Sequence, residues 1–127
     1  MSMCDEIMVL QSAARTATTN SAEILNLMGA RGILLYLDVS AVVSTPNLSA
    51  VSLQVPVGAS WQTVYTFGSL TCATTGMRTF CIHPGAASAA SWTAAPLQGP
   101  LPRRFRIAVT HDDADSITYS LRADLVP

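Results

Sequence analysis

Apolar and polar residues alternate along most of this chain. In Ile33-Leu-Leu-Tyr-Leu-Asp-Val-Ser-Ala41, the residues Ile33, Leu35, Leu37, Val39 and Ala41 fall on one face. Leu34, Tyr36, Asp38 and Ser40 fall on the other, the period of two that marks a half-buried strand. Residues 49–57 repeat it, with Val51, Leu53, Val55 and Val57 inward and Ser52 and Gln54 outward. Pro56 cannot donate to a ladder, so it marks a sheet edge or a strand end. Trp61-Gln-Thr-Val-Tyr-Thr-Phe67 is aromatic and β-branched, as strands are, and Met77–Ile82 is a shorter run stopped by His83-Pro84-Gly85.

Two further runs close the chain. Phe105, Ile107 and Val109 point inward between Arg104 and Arg106, and Ile117, Tyr119 and Leu121 share the next inward face. The cluster His111-Asp-Asp-Ala-Asp115 between them predicts a β-hairpin. Short strands separated by turns predict an all-β fold, a single antiparallel β-sandwich or barrel of jelly-roll or immunoglobulin-like type. Its expected core is Leu35, Leu37, Val39, Val51, Leu53, Val55, Phe105, Ile107, Val109, Ile117, Tyr119 and Leu121. Thr45-Pro-Asn47 reads as a turn, Ser21–Met28 as a strand or one helical turn, and Ala86–Ala95 as a short helix or extended loop. Residues 1–20 are mostly small and polar and predict an extended N-terminal arm before a sandwich domain at 21–127. Within the arm, Cys4, Ile7, Met8, Val9 and Leu10 form a short apolar patch suited to docking on another subunit or to adding a strand to its sheet edge.

Composition narrows the function classes. The 127 residues fit one domain, half are hydrophobic and 12% are charged, with a net charge of -1. That balance excludes disorder as the main state and leaves no field that draws nucleic acid or an anionic membrane. The longest apolar run is far shorter than the ~20 residues that cross a bilayer. All seven basic residues are arginine. Codon bias in a GC-rich genome would explain this together with the many alanines, with use at interfaces as a secondary effect, since arginine's planar fork is weakly hydrated and pairs bidentately.

Candidate chemistry is sparse. Cys4, Cys72 and Cys81 have no CxxC spacing and no export signal ahead of them, so a zinc site or disulfide framework is not expected. Cys72 and Cys81 flank a turn at Thr75-Gly76, yet reduced core thiols are the preferred reading. Asp112, Asp113 and Asp115 would supply calcium oxygens, but the EF-hand glycine and distal glutamate are missing and aspartate is an ordinary turn residue. His83 and His111 lack a third ligand and read as loop histidines. No Gly-x-Ser-x-Gly elbow or phosphate loop occurs, so no catalytic, cofactor or metal residues are assigned. Arg103, Arg104 and Arg106 form the one basic cluster. Arg104 and Arg106 share a strand face about 7 Å apart, which suits an interface anchor better than a nucleic-acid patch.

Leu101-Pro-Arg-Arg-Phe-Arg-Ile-Ala-Val-Thr-His-Asp-Asp-Ala-Asp-Ser-Ile-Thr-Tyr-Ser-Leu121, with Ala30-Arg-Gly-Ile-Leu-Leu-Tyr-Leu-Asp-Val-Ser-Ala41, resembles small structural proteins of tailed bacteriophages. The likeness spans about residues 15 to 125, and His83 departs from it where such chains often carry an aromatic residue. It implies a non-enzymatic virion component made in the host cytoplasm, most plausibly a decoration or cement protein on the capsid surface. Its partners would then be the major capsid protein and itself, as a homo-oligomer such as a trimer, with no membrane or nucleic acid. A head–tail connector or tail component is the alternative of the same class. From another class, a carbohydrate-binding sandwich would use Trp61, Tyr65 and Trp92 as stacking platforms, with Trp61 and Tyr65 on one strand face.

Overall fold

A computed structural model describes residues 5–43, 47–71, 74–86 and 92–127. They form nine strands and no helix: β1 (Asp5–Arg15), β2 (Thr19–Asn20), β3 (Ile24–Leu25), β4 (Gly32–Val42), β5 (Asn47–Val57), β6 (Ser60–Thr71), β7 (Gly76–Ile82), β8 (Arg104–His111) and β9 (Ile117–Val126). One sheet has the order β1-β9-β4-β7 and the other β2-β8-β5-β6, with β3 also on β8. Every strand pairing is antiparallel.

Strands β2 and β3 lie in succession on the same edge of β8, through Thr19↔Val109 and Ile24↔Phe105. Counted as one interrupted strand, they make the orders first-eighth-third-sixth and second-seventh-fourth-fifth. That connectivity, two nested Greek keys, is the jelly roll.

The two inner faces form one core. Leu35, Leu37, Val39, Ile117, Tyr119 and Leu121 come from one sheet; Val51, Leu53, Phe105, Ile107 and Val109 come from the other. All are buried, and Val55 is half-buried against them. Phe67 and Phe80, with ring centroids 4.9 Å apart, join the sheets beside the β6 and β7 edges. The expected parity therefore holds along β4, β5, β8 and β9, with two local exceptions. A bulge between Val39 and Ala41 turns Ala41 out and brings Val42 against the core. Val57 sits at the β5–β6 turn and is exposed.

The expected N-terminal arm is corrected. Residues 5–15 are an edge strand of the sandwich itself, paired with β9 from Asp5↔Leu125 to Arg15↔Ile117. No boundary falls at residue 20, because β2 also pairs with β8. Two bulges, between Met8 and Leu10 and between Leu10 and Ala13, break the period of two and hide the strand from a pattern search. The polar stretch Gln11–Ala14 is tolerated because an edge strand needs few inward side chains. Among the described side chains of β1, Leu10 is the buried one.

Residues 21–28 form β3 and a turn that ends at Gly29, whose φ of 68° suits glycine. Residues 92–97 run beside β7, where Thr93 N donates to Thr79 O (2.9 Å), Leu97 N to Cys81 O (3.0 Å) and His83 N to Leu97 O (3.0 Å). The rest of the Ala86–Ala95 segment, residues 87–91, lies outside the described residues, as do Cys4, Cys72 and most of the Thr45–Asn47 turn. Close packing dictates Gly32, since a Cβ there would lie 2.5 Å from both Ile82 O and His83 Cδ2. Among the described residues, no helix is long and apolar enough to cross a membrane.

Candidate functional site

The arginine cluster lies at the start of β8, on the outer face of its sheet. Arg104 pairs with Leu25 of β3, and Arg106 with Gln54 of β5. Their outward parity is as expected, but the two guanidinium groups are used differently. Arg104 Nη2 bonds Glu23 Oε1 at 2.8 Å, an exposed ion pair that contributes little stability but cancels the charge. Arg106 Nε–H donates to Gln54 Oε1 at 2.7 Å, and its Cζ lies 4.4 Å from the Trp61 ring centroid. Gln54 is held in turn, donating from Nε2 to Thr63 Oγ1 at 3.2 Å. Arg103 precedes the strand and is exposed; its carbonyl accepts from Asn26 N at 2.8 Å.

Beside this cluster is an open cleft of about 310 Å³ lined by Asn26, Leu27, Gly29, Ala30, Leu101 and Arg103. It forms where the β3–β4 turn meets the segment leading into β8. Asn26 braces the turn from inside, giving Nδ2–H to Ala30 O and taking Ala30 N–H on Oδ1. Leu101 N donates to Arg31 O at 3.0 Å, so the Ala30-Arg-Gly and Leu101-Pro-Arg segments meet here. Leu27 lines it and is 72% exposed; in the same stretch of chain Leu25, opposite Arg104, is 48% exposed and Met28 44%. No period of two or of 3.6 marks them in the sequence. Their signal was the irregular apolar spacing of Ser21–Met28, which matches neither a strand nor a helix that buries all of it.

Ile7 and Val9 are not a free adhesive patch. Both are half-buried and pack on the chain's own core, because β1 is part of the sheet. The expected shared face of Trp61 and Tyr65 is also corrected. A bulge opposite Leu53 and Gln54 leaves Val64 unpaired, which puts Trp61 outside with Arg106 and Tyr65 inside with Leu53. The Tyr65 hydroxyl donates to Pro100 O at 2.7 Å. Trp92 belongs to the segment bound along β7, on the other sheet. The three aromatic residues thus form no common platform.

Both histidines are tied into the fold by hydrogen bonds. His83 Nδ1 accepts from Gly85 N (2.9 Å), which fixes the tautomer so that Nε2–H donates to Pro127 O (2.7 Å). His111 Nε2 bonds the Tyr119 hydroxyl at 2.9 Å and links β8 to β9 across the core. Its Nδ1 is buried with no hydrogen-bond partner among the described residues. Burial, and then the Arg15 guanidinium, hold its pKa below the ordinary value, against a smaller opposing pull from Asp113. Arg15 lies 4.6 Å over the Tyr119 ring and donates to Tyr119 O at 2.6 Å, pinning the end of β1. Asp113 Oδ1 accepts from Asp115 N, the backbone bond that makes aspartate a turn residue. Cys81 is a buried free thiol whose pKa burial raises. Among the described residues, no three His, Cys, Asp or Glu side chains gather as metal ligands would.

The arrangement sets exposed aliphatic groups beside arginine and tryptophan. The sequence matches no protein-family model and no curated protein.

Proposed function

We propose that this chain is a non-enzymatic binding protein of a phage particle, a decoration or cement protein that attaches to the outside of the head. One observation carries the attachment surface: exposed Leu25 stands opposite Arg104 and exposed Leu27 beside Arg103, on the side of the sheet that bears Arg106 and Trp61. Interface centres favour apolar side chains with arginine and tryptophan, and large aliphatic residues left in water mark contact sites. The jelly-roll order is compatible with this reading, since that architecture recurs in viral shells. The phage-like motifs supply the particle itself; the partners would be the major capsid protein and further copies of this chain, with a trimer the state the resemblance implies. A lattice-bound trimer needs only weak contacts, because each bound subunit raises the effective concentration of the next.

The carbohydrate-binding alternative loses support from the geometry, because Arg106 covers one face of Trp61 and Tyr65 turns inward. The test is attachment to purified particles lacking the protein. The wild-type chain should bind in many copies per head and raise the temperature at which heads release DNA. Leu27→Asp should fold normally and lose most of that binding. Unchanged binding by Leu27→Asp would refute the assigned surface, and a copy number of only a few would point to the connector or tail.

A further inference from the structure

Among the outward cations of β8, Arg106 is the one whose fork is both held and unspent. Its Nε is taken by Gln54 and its plane by Trp61, while Nη1 and Nη2 have no acceptor among the described residues. Two residues away, Arg104 is already neutralised by Glu23. Holding an arginine side chain at two points removes rotamer freedom before any ligand arrives, so less is lost on binding. The free pair of N–H donors matches the two oxygens of a carboxylate.

We propose that Arg106 is a preorganised receptor for a carboxylate side chain, Glu or Asp, on the protein surface to which this chain attaches. The proposal rests on the reading of this face as the attachment surface. A protein carboxylate fits better than a sugar acid, because Trp61 already carries Arg106 on its ring and the same sheet face continues into exposed Leu25. An acidic residue flanked by apolar ones would satisfy both features. Phosphate polymers fit poorly, since the chain's net charge is -1 and the neighbouring Arg104 is compensated.

The experiment is an NMR titration of the isolated chain with a hexaglutamate peptide at low salt, read at the Trp61 indole N–H and the Arg106 side-chain N–H signals. Wild type should show a saturable shift. Arg106→Lys keeps the charge but loses the fork, and should weaken binding at least tenfold, against less than threefold for Arg103→Gln. Gln54→Glu sets an internal carboxylate beside Arg106 and should also abolish the shift, which covers the case of poor folding in Arg106→Lys. Equal binding by Arg106→Lys, no saturable shift, self-association in place of peptide binding, or a response to galacturonate but not to hexaglutamate would each overturn the assignment. Because no particle is involved, that result would leave the attachment surface itself to the Leu27→Asp test.

Discussion

Ser21 does for Ile107 what a paired strand residue would do, using its side chain for half the work. Its N–H donates to Ile107 O at 2.8 Å, and its Oγ accepts from Ile107 N at 2.9 Å. The pair fills the gap between β2 and β3, so the edge of β8 stays bonded where the ladder is interrupted. Ser21→Ala should leave a buried Ile107 N–H unsatisfied and cost about 1–3 kcal/mol, measured by urea denaturation. Amide exchange at Ile107 should accelerate in the same variant; unchanged protection would mean that the Oγ bond is dispensable.

His111 predicts an acid-sensitive stability. Its folded pKa lies below the ordinary value of 6.5, so the folded state binds this proton more weakly than the unfolded chain does. The associated stability is full above pH 6.5 and is lost as the pH falls toward the depressed folded value. Denaturation midpoints should therefore drop between pH 7.5 and pH 5.5, and His111→Gln should flatten that drop. An identical drop in the variant would assign the effect to other groups.

Removing residues 5–15 should cost the chain its cooperative thermal unfolding. The deletion strips β1 from β9, uncovers the Leu121 and Tyr119 neighbourhood and removes the Arg15 clamp. A truncated chain that melts like the full one would make β1 an appendage after all.

Gly32→Ala should destabilise by about 1–3 kcal/mol, the usual range for forcing extra volume into a packed site. The added Cβ would push the end of β4 away from Ile82 and His83. The His83–Pro127 bond should loosen first, visible as a shift in the His83 ring signals without change in the Ile107 region.

The sandwich was legible because its central strands bury one face each, so period two survives in β4, β5, β8 and β9. It failed wherever an extra residue enters a ladder. The two bulges in β1 hid a strand, the one at Ser40 exchanged Ala41 for Val42, and the one at Val64 separated Trp61 from Tyr65. A single inserted residue reverses every side chain beyond it, and composition carries no mark of that reversal. The arginine face was half legible. Arg104 and Arg106 were placed on one face by parity, but their different fates depend on Glu23, in the link before β3, and Gln54, in β5, both distant in sequence. Leu27 and Met28 were missed because a turn can expose apolar side chains without any periodic signature.

The twin bulges of β1 have a bearing on how copies of this chain meet. An edge strand normally offers a regular row of N–H and C=O groups that another edge can zip onto, the first step toward fibres. Along β1 that row is broken twice within six residues, between Met8 and Ala13, and the opposite edge of the same sheet is covered by residues 92–97. Backbone-to-backbone growth finds no long in-step partner on this sheet. Contacts made through side chains can be reversed and can choose their partner, where a shared ladder would be permanent and indiscriminate.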